Sequence, residues 1–141
     1  DLAIEHAASR GGAIEAVALT HVDPDHAGGA EALALRLGIP ILAGPGGGRP
    51  LPYAVRELAD LEMLPVGDVP LRMMWAPGPR PDHVAFLGAD LGIAITGDLD
   101  GVRGARTIPG TPDATAWAAS LERLARLAPG ARRLPGHPGI G

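Results

Sequence analysis

The sequence predicts an α/β fold, and two observations carry that prediction. Short apolar stretches of strand length alternate with Ala- and Leu-rich stretches of helix length, and no internal repeat, low-complexity tract or interdomain linker interrupts them. The polar clusters also fall just beyond the predicted strand ends: His21 to His26, His83, Asp98 with Asp100, and His137. In open α/β sheets that is where sites assemble, so four of the five histidines are expected to converge. His6, on the first helix, is expected at the surface.

In chain order, Asp1 caps a helix through Arg10, with Leu2, Ile4, Ala7 and Ala8 as its apolar side and Gly11-Gly12 as its stop. Ile14 to Leu19 reads as a buried strand. Ala30 to Leu37 is a helix, with Gly38 at the position where a left-handed residue closes the last turn, and Ile39 to Ala43 is a strand. Gly44 to Pro50 lacks the Gly-Lys-Ser/Thr ending of a phosphate loop and is read as plain loop. Tyr53 to Asp60 is weakly helical. Glu62 to Val66 and Leu71 to Trp75 are strands joined by a turn at Gly67-Asp68, and the three prolines of Ala76 to His83 make a rigid loop. Val84 to Leu87 and Leu91 to Thr96 follow, with a tight turn at Gly88 to Asp90. Thr111-Pro112 opens a helix through Ala128 that places Trp117, Leu121, Leu124 and Ala128 on one face, and Arg132 to Leu134 is a last strand.

With 141 residues, the chain is read as one domain spanning residues 1–141. The apolar fraction is 46%, but no uninterrupted apolar run approaches the ~18 residues of a membrane span, and no basic, apolar leader opens the chain. A soluble, cytoplasmic protein is expected. Cysteine is absent, so any metal has to be held by imidazole and carboxylate. All 12 basic residues are arginine, which together with heavy Ala, Gly and Pro usage is the bias of a GC-rich bacterial genome. A net charge of -4 argues against a general nucleic-acid-binding surface.

The chemistry concentrates in Thr20 to Gly29. His21, Asp23, Asp25 and His26 fall within six positions, after an apolar run and before a helix-forming one, with Pro24 fixing the loop. Imidazole and carboxylate together suit zinc, iron or manganese. The plain alternative is a solvated turn in which Asp25 caps the following helix.

Together these residues resemble the metallo-β-lactamase superfamily over nearly the whole chain. Members carry Thr-His-x-His-x-Asp-His before a helix, a Pro-Gly-His loop, a Gly-Asp loop after a strand, and a late Gly-His. Here Thr20 to His26, Pro77-Gly78-Pro79, Gly97-Asp98 and Gly136-His137 stand in that order. The segment from Gly97 through the Trp117 helix also looks like the branch of small β-lactamase-like hydrolases and ribonuclease-like relatives. The resemblance implies a four-layer αββα sandwich. Family domains begin with several strands ahead of the first helix, so this chain is expected to be the larger, C-terminal part of a longer domain. Those strands, or another copy in a homo-oligomer, would then cover a sheet edge, and residues 1–141 alone would not form a stable monomer.

Two positions depart from the family. Asp23 stands where its second histidine would be, and Pro79 stands where its loop histidine would be. Carried over residue by residue, one metal site survives as Asp25, His26, Asp98 and His137. The other keeps His21 and the shared Asp98, with Asp23 as its remaining candidate. The resemblance therefore implies a metal-dependent hydrolase with a metal-activated water oriented by Asp25, mononuclear or with one tight and one weak ion. Zinc is the expected metal, with iron or manganese as alternatives. Its substrate is a small or anionic molecule with an ester, thioester, lactone, amide or phosphodiester bond, and Arg80, His83, Arg103 and Arg106 are the candidates to contact it. The competing reading is a degenerate, non-catalytic relative that binds or assembles. A third, a redox di-iron site, is disfavoured by Pro79.

Overall fold

The computed structural model of the chain describes residues 2–100 and 113–137. In order, the elements are α1 (Leu2–Ser9), β1 (Val17–Ala18), α2 (Pro24–Ala27), α3 (Ala30–Leu37), β2 (Ile41–Ala43), β3 (Arg56–Glu57), β4 (Met63–Val66), β5 (Val69–Trp75), β6 (Val84–Gly88), β7 (Ile93–Gly97), α4 (Ala114–Leu127) and β8 (Arg132–Pro135). Strands β1, β2 and β3 form a parallel three-stranded sheet. Strands β4 to β8 lie in sequence order in a five-stranded sheet, antiparallel until β8 joins β7 in parallel.

The side-chain alternation of β5 and β6 sets the layers. Met73, Val84 and Phe86 face one way and pack with Leu42, Leu58 and Leu64, between the two sheets. Met74, Ala85 and Leu87 face the other way and pack with Ala94, Leu99 and Leu124, beneath α4. Both faces of the larger sheet are therefore buried, as period-two alternation requires when apolar residues occupy consecutive positions. A third core joins Leu19 and Ile41 of the smaller sheet to Ala27, Ala30 and Ala34 of the helices outside it. Helix, sheet, sheet, helix is the four-layer αββα order the motifs imply. Among the described residues no helix is long and apolar enough to cross a membrane.

Most predicted elements are present at shifted bounds. The first strand shortens to Val17–Ala18, although Leu19 N–H still reaches Leu42 O at 2.9 Å. Strand β7 starts at Ile93 because Ala89–Leu91 winds into a 3-10 turn closed by Gly92 at φ 60°. Helix α4 takes Asp113 as its cap, whose carboxylate accepts the Ala116 N–H at 3.0 Å. Thr111 and Pro112, the expected cap, lie outside the described residues.

Two expectations are corrected. Tyr53 to Asp60 is not a helix: Arg56 and Glu57 pair in parallel with Leu42 and Ala43. The Glu57 carboxylate accepts the N–H groups of Gly46 and Gly48 at 3.0 and 3.3 Å, which holds its pKa below the usual value and ties the preceding glycine loop to this strand. Tertiary pairing here overrides a weak local propensity. Helix α1 has no buried residue, and Leu2, expected on its apolar side, is 84% exposed.

Candidate metal centre

Four loops at strand ends build the pocket, the last of them Gly136-His137 after β8. The first follows Leu19. Thr20 O accepts the Val84 N–H at 2.8 Å, which pins the loop's start to the larger sheet, and buried His21 follows at once. Asp23, extended at φ -66° and ψ 147°, precedes Pro24 at the first position of α2, where a missing N–H costs nothing. Its main-chain oxygen accepts from His26 and Ala27, while its side chain makes no cap bond and is left for other contacts. The turn contains a cap, as the plain reading held, but the cap is Asp23.

The second loop, Ala76 to His83, is stapled to α4. Ser120 Oγ donates to Pro77 O at 2.7 Å and Asp113 N–H donates to Gly78 O at 3.0 Å. Gly78, at φ 149°, comes so close that a Cβ would lie 2.5 Å from the Trp117 Cα. Trp117 in turn donates from Nε1 to Leu99 O at 3.0 Å.

The third loop carries Asp98. Gly97, at φ 50°, approaches Thr20 and His83 more closely than a side chain would allow. Asp98 N–H donates to His83 Nε2 at 3.1 Å. His83 is fully buried, so it stands behind the pocket and holds the Asp98 backbone; it does not face a substrate. Gly136, ahead of His137, is likewise obligatory, because a Cβ there would lie 2.7 Å from His26 Cε1.

The side chains converge. His26 Nε2 lies 3.1 Å from His137 Nε2, 3.2 Å from Asp98 Oδ1 and 3.6 Å from Asp25 Oδ2. His137 Nε2 lies 3.2 Å from Asp25 Oδ2 and 3.5 Å from Asp98 Oδ1. A tetrahedral ion with N and O ligands about 2.0–2.2 Å from its centre has donor–donor edges of about 3.3–3.6 Å. Five of the six edges of the Asp25, His26, Asp98 and His137 set are near those of that tetrahedron, and Asp25, His26 and His137 each bring one donor atom within 4.8 Å of the others, so the set can hold a metal.

The other side of the pocket differs. His21 Nε2 lies 3.6 Å from Asp23 Oδ2 and 3.7 Å from Asp98 Oδ2, and it is buried and makes no hydrogen bond. Pro79, buried, brings no donor, and the Arg80 Nε lies 3.0 Å from Asp23 Oδ1. A unit charge repels a divalent ion by about 8 kcal/mol at ~4 Å and an effective dielectric of about 20. The guanidinium therefore opposes a divalent ion beside Asp23, although His21, His26 and Asp98 each bring one donor atom within 4.8 Å of the others.

Burial dominates the histidine titrations. It pushes His21 down to about 4, helped by the charges of His26 and Arg80 and opposed by Asp98 and Asp25. It pushes His83 down to about 3. Both rings are therefore neutral at physiological pH, the state in which imidazole donates to a metal or accepts an N–H. Burial raises Asp82, whose Oδ2 accepts the Val22 N–H at 3.0 Å, while Arg80 lowers it.

Of the remaining sequence candidates, Arg103 and Arg106 lie outside the described residues. Asp100 turns away to pair with Arg133 at 2.8 Å, and His6 is exposed as expected. The Asp23–Arg80 contact was not foreseen as a pair. Its partners are far apart in sequence and no spacing rule links them.

Comparison with known proteins agrees with this fold. Residues 4–137 match the family model of the metallo-beta-lactamase superfamily. The chain is 35% identical over 135 residues to a hydroxyacylglutathione hydrolase of Acidiphilium cryptum, an alignment covering 96% of this chain and 55% of that protein. The chain thus spans about half the length of the curated relatives it matches. Among solved structures, ETHE1 from Myxococcus xanthus superposes with a TM-score of 0.83 at 24% identity, covering all of this chain and 61% of that one. TTHA1623 in a di-iron-bound form gives 0.78 at 28% identity, covering 96% and 76%.

Proposed function

The chain belongs to the metallo-beta-lactamase superfamily, and from that premise we propose that it is a metal-dependent hydrolase holding one divalent ion at Asp25, His26, Asp98 and His137. The observation that carries this reading is the set of five donor distances, 3.1 to 3.6 Å, by which His26 and His137 meet each other, Asp25 and Asp98. Zinc suits two imidazoles and two carboxylates, and the di-iron relative makes iron the alternative to test. When bound, such an ion supplies Lewis acidity and brings the pKa of a water toward neutrality.

The chain's own residues do the rest. His83 and Gly97 fix the direction of Asp98, and Gly136 lets His137 approach His26. Asp25, whose side chain is 60% exposed, is the member of the set that faces incoming water and orients it for attack. The likeness to a hydroxyacylglutathione hydrolase supports a small acyl thioester as the substrate. A second reading, binding without turnover, draws on Asp23 and Pro79 standing where the family has imidazoles.

Hydrolysis of a panel of acyl thioesters, esters and lactones, assayed with zinc and with iron, separates the two. The hydrolase reading expects thioester turnover that is lost in His137→Ala and in Asp98→Ala. Metal bound tightly without turnover of any of them supports the second reading.

A further inference from the structure

The half of the pocket beside Asp23 keeps three donors. His21 Nε2, Asp23 Oδ2 and Asp98 Oδ2 lie 3.6 and 3.7 Å apart along the two edges from His21, and the His21 nitrogen is buried without a hydrogen bond. That is ligand spacing. What distinguishes this half is a cation already in it. Arg80 follows the buried Pro79, its Nε stands 3.0 Å from Asp23 Oδ1, and its charge also acts on His21 and Asp82. The loop that presents it is held by α4 at Pro77 and Gly78, so the guanidinium is placed by the fold beside the Asp23 carboxylate.

We propose that Arg80, held by Asp23, is a built-in cation standing in for a second metal ion, and that it, more than the lack of ligands, limits this pocket to one metal. This rests on the mononuclear reading above and deepens it, because it assigns the metal content of the site to one residue. Arginine suits that role, since it stays charged at every working pH and its planar fork is retained by carboxylates. The fixed charge opposes a divalent ion at Asp23, while His26 and His137 meet each other, Asp25 and Asp98 at the first site. Removing the charge frees Asp23 to join His21 and Asp98 as a three-donor site.

The test is zinc titration of metal-free protein followed by elemental analysis, on wild type, Arg80→Ala and Arg80→Lys. Arg80→Gln serves as a second neutral variant if Arg80→Ala does not fold. The expected result is that the neutral variants gain one equivalent over wild type, bound at least about tenfold more tightly than any second ion in wild type, while Arg80→Lys does not. A neutral variant with unchanged stoichiometry overturns the proposal, and so does a gain in Arg80→Lys equal to that in Arg80→Ala. The first equivalent reports separately on the mononuclear reading: if wild type binds none yet the neutral variants gain one, that reading fails and the role of Arg80 stands.

Discussion

The two sides of the pocket meet at Asp98 and at His26, whose ring centroid lies 4.0 Å from that of His21, and otherwise differ. On one side His26 and His137 lie beside the Asp98 Oδ1 and Asp25 lies beside both histidines, with His137 about half exposed and Asp25 more so, and their spacing is that of ligands around an ion. On the other, buried His21 faces the Asp98 Oδ2, and Asp23 is turned toward Arg80. One half is open, nitrogen-rich and complementary to a metal; the other is closed and carries its own positive charge. On the reading proposed above, a side-chain cation takes over a carboxylate at one side of the site while the shape around it is kept.

The largest expected effect follows from the shared residue. Asp98→Ala removes a donor from both halves, and since even groups behind metal ligands are worth ~10–100-fold in affinity, zinc binding should weaken by at least about 100-fold in a calorimetric titration. A loss under tenfold would mean Asp98 is not a ligand.

Two glycines sharpen the contrast. Gly136→Ala places a Cβ 2.7 Å from His26 Cε1, and Gly78→Ala places one 2.5 Å from the Trp117 backbone, at a φ few side chains adopt. Gly136→Ala should lower metal affinity by about tenfold or more with a small change in melting temperature. Gly78→Ala should instead lower stability by about 2 kcal/mol or more, because strain and a backbone clash add. Equal effects of both on metal binding would erase the distinction between the halves.

Acid provides a smaller, graded test. His21 and His83 titrate near 4 and 3 in the folded protein against 6.5 when unfolded, so below 6.5 the unfolded chain takes up protons the folded one refuses. The stability they contribute is fully present above about pH 6.5 and is lost as pH falls toward 4 and then 3. Melting temperature of metal-free protein should fall across that window, and His83→Phe should flatten the decline.

The smallest effect expected is that of Pro79→His alone. It restores an imidazole, but Arg80 stays beside Asp23, so zinc stoichiometry should not change. A second tightly held ion in this variant would show that the missing ligand, and not the cation, sets the limit.

Much of this was legible in the sequence because the determinants are local. The stripe of Trp117, Leu121, Leu124 and Ala128 packs beneath the larger sheet as its spacing requires, and His21 to His26, Asp98 and His137 meet because strand ends meet. What was not legible depended on distant partners. Residues 53–60 are not helical because Arg56 and Glu57 pair with Leu42 and Ala43 and the Glu57 carboxylate receives N–H groups from Gly46 and Gly48, contacts no propensity encodes. His83 supports the Asp98 backbone, which only the register of β6 beside β7 reveals. The Asp23–Arg80 pair required the first loop to fold against the second.

Metal content of wild type is the most direct test of the central claim. Protein purified without added metal, loaded with excess zinc, desalted and subjected to elemental analysis should retain one ion per chain, and His137→Ala should retain none. Two ions retained in wild type, or one retained in His137→Ala, would contradict the account.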